Sequence, residues 1–435
     1  MFNLNDHIEM RLFKICLCIL CTLMLAPGCA RKTADDSGKV RKAVYVIIDG
    51  VAAEMVERLD LPAIQEIASE GTFAKCYTGG TVGRYDQTPT ISAIGYTNIL
   101  TATWANKHNV WGNDNLSPNY NYWTIFRIAE EQDRDVTTAL FSSWTDNRTV
   151  LVGEGKPETG NLELDYVFDG YDLDYESFPE REEDLRIFDI DEHVSKKAAE
   201  CIRENAPDMS WVYLWYTDDA GHIFHAGETL DEFIRLADKQ VSRIWEAVKY
   251  REANFNEEWM VVITTDHGRE YNGAHHGGQS YSERSCWVST NVKTNERLSS
   301  GSGAIIDINP SICRFMDFKV PQDVLWEQDG VSFYGDIDIM NMEVEPYGRG
   351  VWLTWECLNP SATATVWATG SNEFNKGGRD EWVKVGEVSA GDCRYLVDLS
   401  SLPVSDFYKF VLETPNGTLN RWHNKVPTEY KTFKF

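Results

Sequence analysis

The chain is short of positive charge. Its 435 residues carry 41 Lys and Arg against 68 Asp and Glu, a formal charge of −27. A protein that coats nucleic acid needs a basic surface to displace counterions, so that class is excluded. Binding to anionic membranes through charge is disfavoured for the same reason. Paired cysteines are also missing. Beyond Cys29 the cysteines are Cys76, Cys201, Cys286, Cys313, Cys357 and Cys393, scattered and without a C-x-x-C spacing. That removes a zinc knuckle and leaves Cys357–Cys393 as one possible local bridge. There is no internal repeat, and only the N-terminus holds a stretch apolar enough to approach a membrane. Wholesale disorder is excluded as well, since 43% hydrophobic and 25% charged residues are ordinary for a globular protein. The length suits one large domain and a smaller one.

From residue 43 short apolar runs alternate with amphipathic segments. Residues 43–48 (AVYVII) read as a buried strand ending in Asp49-Gly50. Residues 136–141, 211–216 and 260–264 read as further strands. Helices are expected over 54–69 and over 230–248, where Leu230, Phe233, Ile234, Ala237, Val241, Ile244, Trp245 and Val248 share a face. Strands alternating with helices imply an α/β fold, a mostly parallel sheet sandwiched by helices. After about residue 338 the pattern changes. Segments 351–357, 362–368, 382–388, 394–398 and 407–412 are short and rich in Val, Trp, Tyr and Thr, with turn residues between them. They predict a small C-terminal β-sandwich.

Four strand ends of the first domain carry residues of metal-ligand type. Asp49 follows the first strand, and Asp218 and His222 follow the strand at 211–216. Asp266 and His267 end the strand at 260–264, and His275 and His276 come shortly after. In open α/β sheets the carboxyl ends of the strands line the ligand crevice. Acids and histidines converging there suit zinc or a similar divalent ion. Singly, each has a plainer use as a turn, a chance pair or a surface residue; jointly and in order they point to a site.

This set and its order resemble the alkaline-phosphatase superfamily, nearest its type I phosphodiesterase/nucleotide pyrophosphatase branch. The resemblance covers residues 43–115, 211–222, 260–278 and, more faintly, 304–336. It implies an alkaline-phosphatase-like fold and two divalent metal ions, zinc by preference. Asp49, Ser92, Asp266 and His267 would hold one ion; Asp218, His222 and His276 would hold the other. Ser92 is followed by His108 after sixteen residues and then by Asn113, as in the family's nucleophile segment. Ser92 is thus implied as the catalytic nucleophile and Asn113 as the group that holds the phosphate. Asp307-Ile308-Asn309-Pro310 and Asp329-Gly330-Val331-Ser332-Phe333 resemble the closing segment of the superfamily domain.

The chemistry is consistent with those roles. A serine hydroxyl is a poor nucleophile at neutral pH, and a divalent ion makes its deprotonation accessible. A second ion roughly 4 Å away stabilises the departing oxygen. The start of a helix at Ser92 favours a phosphate group. The reaction would pass through phosphoryl-Ser92. Thr90 is the local rival, and Ser92 has a plainer reading as an N-cap. Phosphodiesterase members usually have Thr as nucleophile with Asn three residues on; here Ser92 and Gly95 stand there, as in the monoesterase or mutase branches. Ser92 is followed by Ala-Ile-Gly rather than x-Pro-x-Arg, which argues against a sulfatase. A monoesterase usually needs one more cation, and Arg148 is the nearby basic candidate. Trp104, Trp111, Tyr213, Trp215 and Tyr216 lie near the motifs, as core residues or as a base-stacking surface. The leading expectation is a phosphodiesterase acting on a small phosphorylated, nucleotide-like substrate. The alternatives are a phosphomonoesterase on the same fold and a noncatalytic surface-binding lipoprotein.

Residues 10–29 (MRLFKICLCILCTLMLAPGC) hold a basic start at Arg11 and Lys14 and an apolar run from Ile15 to Leu25. That run has the length of a signal-peptide core and is too short for a comfortable membrane span. Gly28-Cys29 after it resembles a bacterial lipoprotein processing site, with an ordinary cleaved signal as the alternative. The expected organisation is a signal peptide over 1–28, a tether over 29–42, a catalytic domain over 43–338 and a β-sandwich over 339–435. The expected address is an exported, lipid-anchored protein, periplasmic or at the cell surface.

Overall fold

In the strand β1 (Val40–Ile48), the run from Ala43 to Ile48 is buried on both sides. Val44, Val46 and Ile48 enter one core, and Ala43, Tyr45 and Ile47 enter the other. A strand apolar at every position needs cover on both faces, and helices supply it. The computed structural model describes residues 38–425. The signal peptide, Cys29 and the tether up to residue 37 lie outside these. The tether reading is corrected at its end, because β1 starts at Val40. There Lys42 is buried and donates to Asp208 Oδ1 and the Ala206 carbonyl, both at 2.6 Å.

The other strands of this sheet are β2 (Thr72–Tyr77), β3 (Thr138–Ser142), β4 (Tyr166–Phe168), β5 (Met209–Leu214), β6 (Glu257–Thr264) and β7 (Ser285–Thr290). Their order is β2-β7-β6-β1-β5-β3-β4. β6, β1, β5, β3 and β4 run parallel, while β7 is antiparallel to both β6 and β2. The α/β fold class is therefore as read, with three strands (β2, β4 and β7) that the apolar-run pattern did not reveal.

The helix expected over 54–69 is two helices, Ala53–Arg58 and Pro62–Glu70. Leu59 is extended, and Pro62 opens the second helix. Proline pushes its predecessor out of the helical region and cannot continue a helix, but it fits a first turn. The helix expected over 230–248 spans Glu228–Asn254 and packs its apolar stripe into the same core as the helix Leu185–Glu204.

The C-terminal part holds β8 (Ile339–Tyr347), β9 (Gly350–Cys357), β10 (Thr363–Thr369), β11 (Val383–Ser389), β12 (Arg394–Asp398), β13 (Phe407–Thr414) and β14 (Gly417–Asn424). They form two antiparallel sheets, β12-β9-β8 and β11-β10-β13-β14. Val351, Leu353, Val366, Phe410 and Leu412 fill the core that the sheets share. Cys357 and Cys393 are free thiols. The sandwich is joined to the α/β part by buried charge. Lys107 is 0% exposed and donates to Asp329 Oδ1 (2.7 Å), the Glu327 carbonyl (2.6 Å) and Asn420 Oδ1 (2.9 Å) on β14. Lys409 on β13 pairs with Glu327 from the other side. The closing segment is thus structural: Asp329 meets Lys107, and Asp307 accepts from Arg297 and from the backbone N–H groups of Ala304 and Val331.

Candidate active site

Sheet order decides where the site forms. β1 lies between β5 and β6, so the turns after these three strands meet at one level. Asp49 leaves β1, and its N–H bonds the Leu214 carbonyl of β5 at 3.0 Å. β5 leads into the helix Tyr216–Phe224, where Asp218 and His222 are one turn apart on a single face. β6 leads into Asp266 and His267. The helix Ser92–Thr101 points its first residue at the same place.

His267 Nε2 is the focus of the first group. Ser92 Oγ lies 3.1 Å from it, Asp266 Oδ2 3.3 Å and Asp49 Oδ1 3.4 Å. The other ring nitrogen, Nδ1, donates to the Gly268 carbonyl at 2.9 Å, so Nε2 presents a lone pair. Asp49 Oδ2 accepts from the phenols of Tyr213 (2.7 Å) and Tyr96. Asp266 Oδ1 accepts from Gly50 N–H at 3.2 Å. The remaining oxygens, Asp49 Oδ1 and Asp266 Oδ2, are buried without a hydrogen-bond partner. Two unpartnered carboxylate oxygens beside an imidazole lone pair form a donor set that fits a divalent ion.

The second group is Asp218, His222 and His276. Asp218 Oδ2 is 3.2 Å from His222 Nε2, which is 3.2 Å from His276 Nε2. His276 Nδ1 donates to the Thr90 carbonyl at 2.9 Å and turns Nε2 toward the group. His275 is exposed, and the structure brings His276, not His275, into the group. The two groups touch: the rings of His267 and His276 stack at 3.8 Å. Ligand atoms of Asp218, His222 and His276 lie within 4.8 Å of one another, and so do those of Asp49, Asp218 and His267. Asp218 therefore adjoins both groups, where the sequence pattern assigns it to one.

The carboxyls differ in charge preference. Burial, and then the charges of Asp266 and Asp218, raise the Asp49 carboxyl well above the ordinary range. Burial and the Asp218 charge raise Asp266 as well. At Asp218 burial is outweighed by hydrogen bonds from His222 and His276 and by the Arg269 charge, which hold that carboxyl low. Burial and the neighbouring His276 hold His267 neutral. A cation placed among these groups relieves the repulsion that raises Asp49 and Asp266.

Ser92 is the first residue of its helix, with Ile91 as the cap, so its hydroxyl is not an N-cap. Thr90 is spent elsewhere: its hydroxyl donates to the Gly278 carbonyl and accepts from Gly277 N–H, both at 3.0 Å. Gly95 has a packing reason, because a Cβ there would stand 2.7 Å from Asp266 Cβ and 2.8 Å from its carbonyl oxygen. Asn113 Oδ1 accepts from Ala93 N–H at 2.9 Å, which turns its Nδ2 donor away from the helix. A cleft of about 660 Å³ opens there, lined by Ile91, Trp111, Asn113, Asp114, Asn115 and His276 among others.

Several candidates lie elsewhere. Arg148 is locked in a two-pronged pair with Asp169 (2.7 and 3.1 Å) and bonds Glu154 at 2.6 Å. Trp104 and Tyr216 are core residues. His108 is buried; it donates from Nε2 to Asn98 Oδ1 (2.9 Å) and accepts at Nδ1 from Val110 N–H (3.1 Å). Burial lowers its pKa to about 3. Its folded pKa lies below the unfolded value of about 6.5, so its stabilisation is complete above that value and is lost as pH falls toward 3. Between pH 7.5 and 5 this group alone should cost about 2 kcal/mol. Urea unfolding at the two pH values should show that loss in the wild type and a smaller one in His108→Gln; equal losses would refute it.

Sequence reasoning missed Tyr96, Arg269 and the role of Tyr213. Tyr96 stands four residues after Ser92, on the same helix face, which was a readable signal. Arg269 follows Asp-His-Gly directly, and nothing in its spacing marked it.

The family described as Type I phosphodiesterase / nucleotide pyrophosphatase matches residues 43–319. No curated protein matches the chain. Among solved structures, human ectonucleotide pyrophosphatase / phosphodiesterase 5 is 11% identical, covering 64% of this chain and 96% of its own at a TM-score of 0.43. A phosphonoacetate hydrolase from Sinorhizobium meliloti is 16% identical, with coverage of 53% and 57% and a TM-score of 0.37. A putative sulfatase from Bacteroides thetaiotaomicron is 11% identical, with coverage of 88% and 85% and a TM-score of 0.44.

Proposed function

Because the chain belongs to the type I phosphodiesterase/nucleotide pyrophosphatase family, a family of phosphoryl-ester hydrolases, we propose that it cleaves phosphodiesters of small, nucleotide-like substrates through a phosphoryl-Ser92 intermediate. The observation that carries this reading is the position of Ser92 Oγ, 3.1 Å from His267 Nε2 and beside two unpartnered carboxylate oxygens. Asp49, Ser92, Asp266 and His267 would hold one divalent ion, zinc by preference, and Asp218, His222 and His276 a second. When bound, the ions supply Lewis acidity that lowers the proton affinity of the serine hydroxyl and offsets charge on the leaving oxygen.

The protein's own groups do the rest. Ser92 Oγ attacks phosphorus from the helix N-terminus, whose dipole favours the anion. Asn113 Nδ2 donates to a nonbridging oxygen. The bond to the leaving oxygen breaks, and the serine's proton passes through solvent to that oxygen; water then attacks phosphorus from the opposite side, breaks the Oγ–P bond, and returns a proton to Oγ. The diester preference rests on cations. Arg148 and Arg269 are both engaged by carboxylates, and no Lys or Arg lines the cleft among the described residues. A monoester would bring one more negative charge with nothing to meet it. The address proposed for this activity is the cell envelope, with Cys29 as a lipid-carrying anchor.

The test is hydrolysis of bis-p-nitrophenyl phosphate and p-nitrophenyl phosphate side by side, in zinc. The diester should be the better substrate by at least about tenfold in kcat/KM, about 1.4 kcal/mol. Faster turnover of the monoester would replace this reading with the phosphomonoesterase, and turnover of neither would leave the noncatalytic surface lipoprotein.

A further inference from the structure

We propose that Arg269 is a positioning residue that fixes which oxygen of Asp218 faces the second ion and sets the loop that carries His276. The inference rests on the two-ion reading above. Arg269 is 0% exposed, which for a guanidinium demands partners on every side. Nη1 donates to Asp218 Oδ1, Nε to the Gly273 carbonyl at 2.7 Å and Nη2 to the Ala274 carbonyl at 3.3 Å. One side chain thus ties the helix that bears Asp218 to the loop that ends at His276.

The space for it is built in. A Cβ at Gly50 would stand 2.7 Å from Nη1, and one at Gly221 would collide with the body of the guanidinium. Gly50 follows Asp49 in the turn after β1, and Gly221 precedes His222 within its helix, so the turn leaves room for the Asp218–Arg269 pair and the helix for the guanidinium. With Oδ1 held by Arg269, and 3.6 Å from His276 Nε2, Asp218 offers Oδ2, the oxygen 3.2 Å from His222 Nε2. Asp49 and Asp266 likewise each have one oxygen bonded by the protein, and their other oxygen is unpartnered, whereas Asp218 Oδ2 keeps its contact with His222. A lysine at 269 would keep the charge but not the planar fork that serves one carboxylate and two carbonyls. Glutamine would lose both.

The experiment is zinc titration of chelator-stripped wild type, Arg269→Lys and Arg269→Gln against a competing chromophoric chelator. Bound metal and circular dichroism are measured on the same samples. The wild type should bind two ions. In the variants one ion should stay within about threefold of wild-type affinity while the other weakens by roughly 10–100-fold, less in Lys than in Gln. Folded variants that hold both ions at wild-type affinity, or that weaken both equally, overturn the proposal. Should neither variant fold, the crystal structure of the zinc-loaded wild type decides. Arg269 on Oδ1 with zinc on Oδ2 supports it; a displaced guanidinium, or zinc on both oxygens, overturns it. A wild type that binds no zinc removes the two-ion reading itself, whereas two tight ions in Arg269→Gln remove only the role of the arginine.

Discussion

Ser92→Ala is expected to abolish turnover, by about 10⁴-fold or more, some 5.5 kcal/mol in the barrier. The substitution removes one oxygen from a buried position at the start of a helix, where Ala93 follows and alanine is a good helix former. The fold and its melting temperature should stay close to wild type. The hydroxyl bonds His267 Nε2, and that ring keeps its Nδ1 bond to Gly268. Zinc content should therefore fall little. Ser92→Thr should retain part of the activity, since the related branch uses Thr. The measurement is kcat on bis-p-nitrophenyl phosphate with bound metal determined on the same preparation. Near-normal turnover by a zinc-loaded Ser92→Ala protein would break the covalent mechanism. Thr90 would be a poor replacement, because its hydroxyl is already bonded to Gly277 and Gly278.

Asp218→Asn should have the largest effect on metal. Asp218 is common to both ligand groups, and His222 belongs to only one. His222 is also exposed. His222→Ala should thus remove a single ion and leave the fold intact. Asp218→Asn should take the protein to one ion or none and lower turnover by at least about 10³-fold. It should also cost stability. Arg269 is buried against Asp218, and breaking a buried ion pair from one side is worth about 3–5 kcal/mol. The amide oxygen of Asn softens that loss by still accepting from Nη1. Metal analysis and thermal melting of the two variants, side by side, separate the roles. Equal zinc loss in both would show that Asp218 serves only the His222 group.

Much of the architecture was legible in the amino-acid order. A run apolar at every position from Ala43 to Ile48 has no solvent face, so it had to be a strand covered on both sides. The short Val-, Trp- and Thr-rich segments after residue 338 had no helical period and could only be sheet. The acids and histidines were legible only jointly: each alone has a plainer structural use, but their ordered recurrence at successive strand ends does not. The break within 54–69 was also written locally, in Leu61-Pro62, and the period of the apolar residues overrode it.

What stayed hidden depends on distance along the chain. Ser92 and His267 are 175 residues apart, and Tyr213 and Asp49 are 164 apart. No local pattern fixes such pairs, because they meet only once β1 is seated between β5 and β6. That seating makes Asp218 common to two groups, turns Tyr96 and Tyr213 onto Asp49 and brings Arg269 into the space left by Gly50 and Gly221. Arg148 is spent nearer home, on Asp169 and Glu154 only 21 and 6 residues away and apart from the site. Residue type and periodicity act through neighbours one or two turns away and so determine the elements and the chemistry available. Which oxygen, which tautomer and which cation are free is decided by packing between segments far apart in sequence, and that exists only in the tertiary structure.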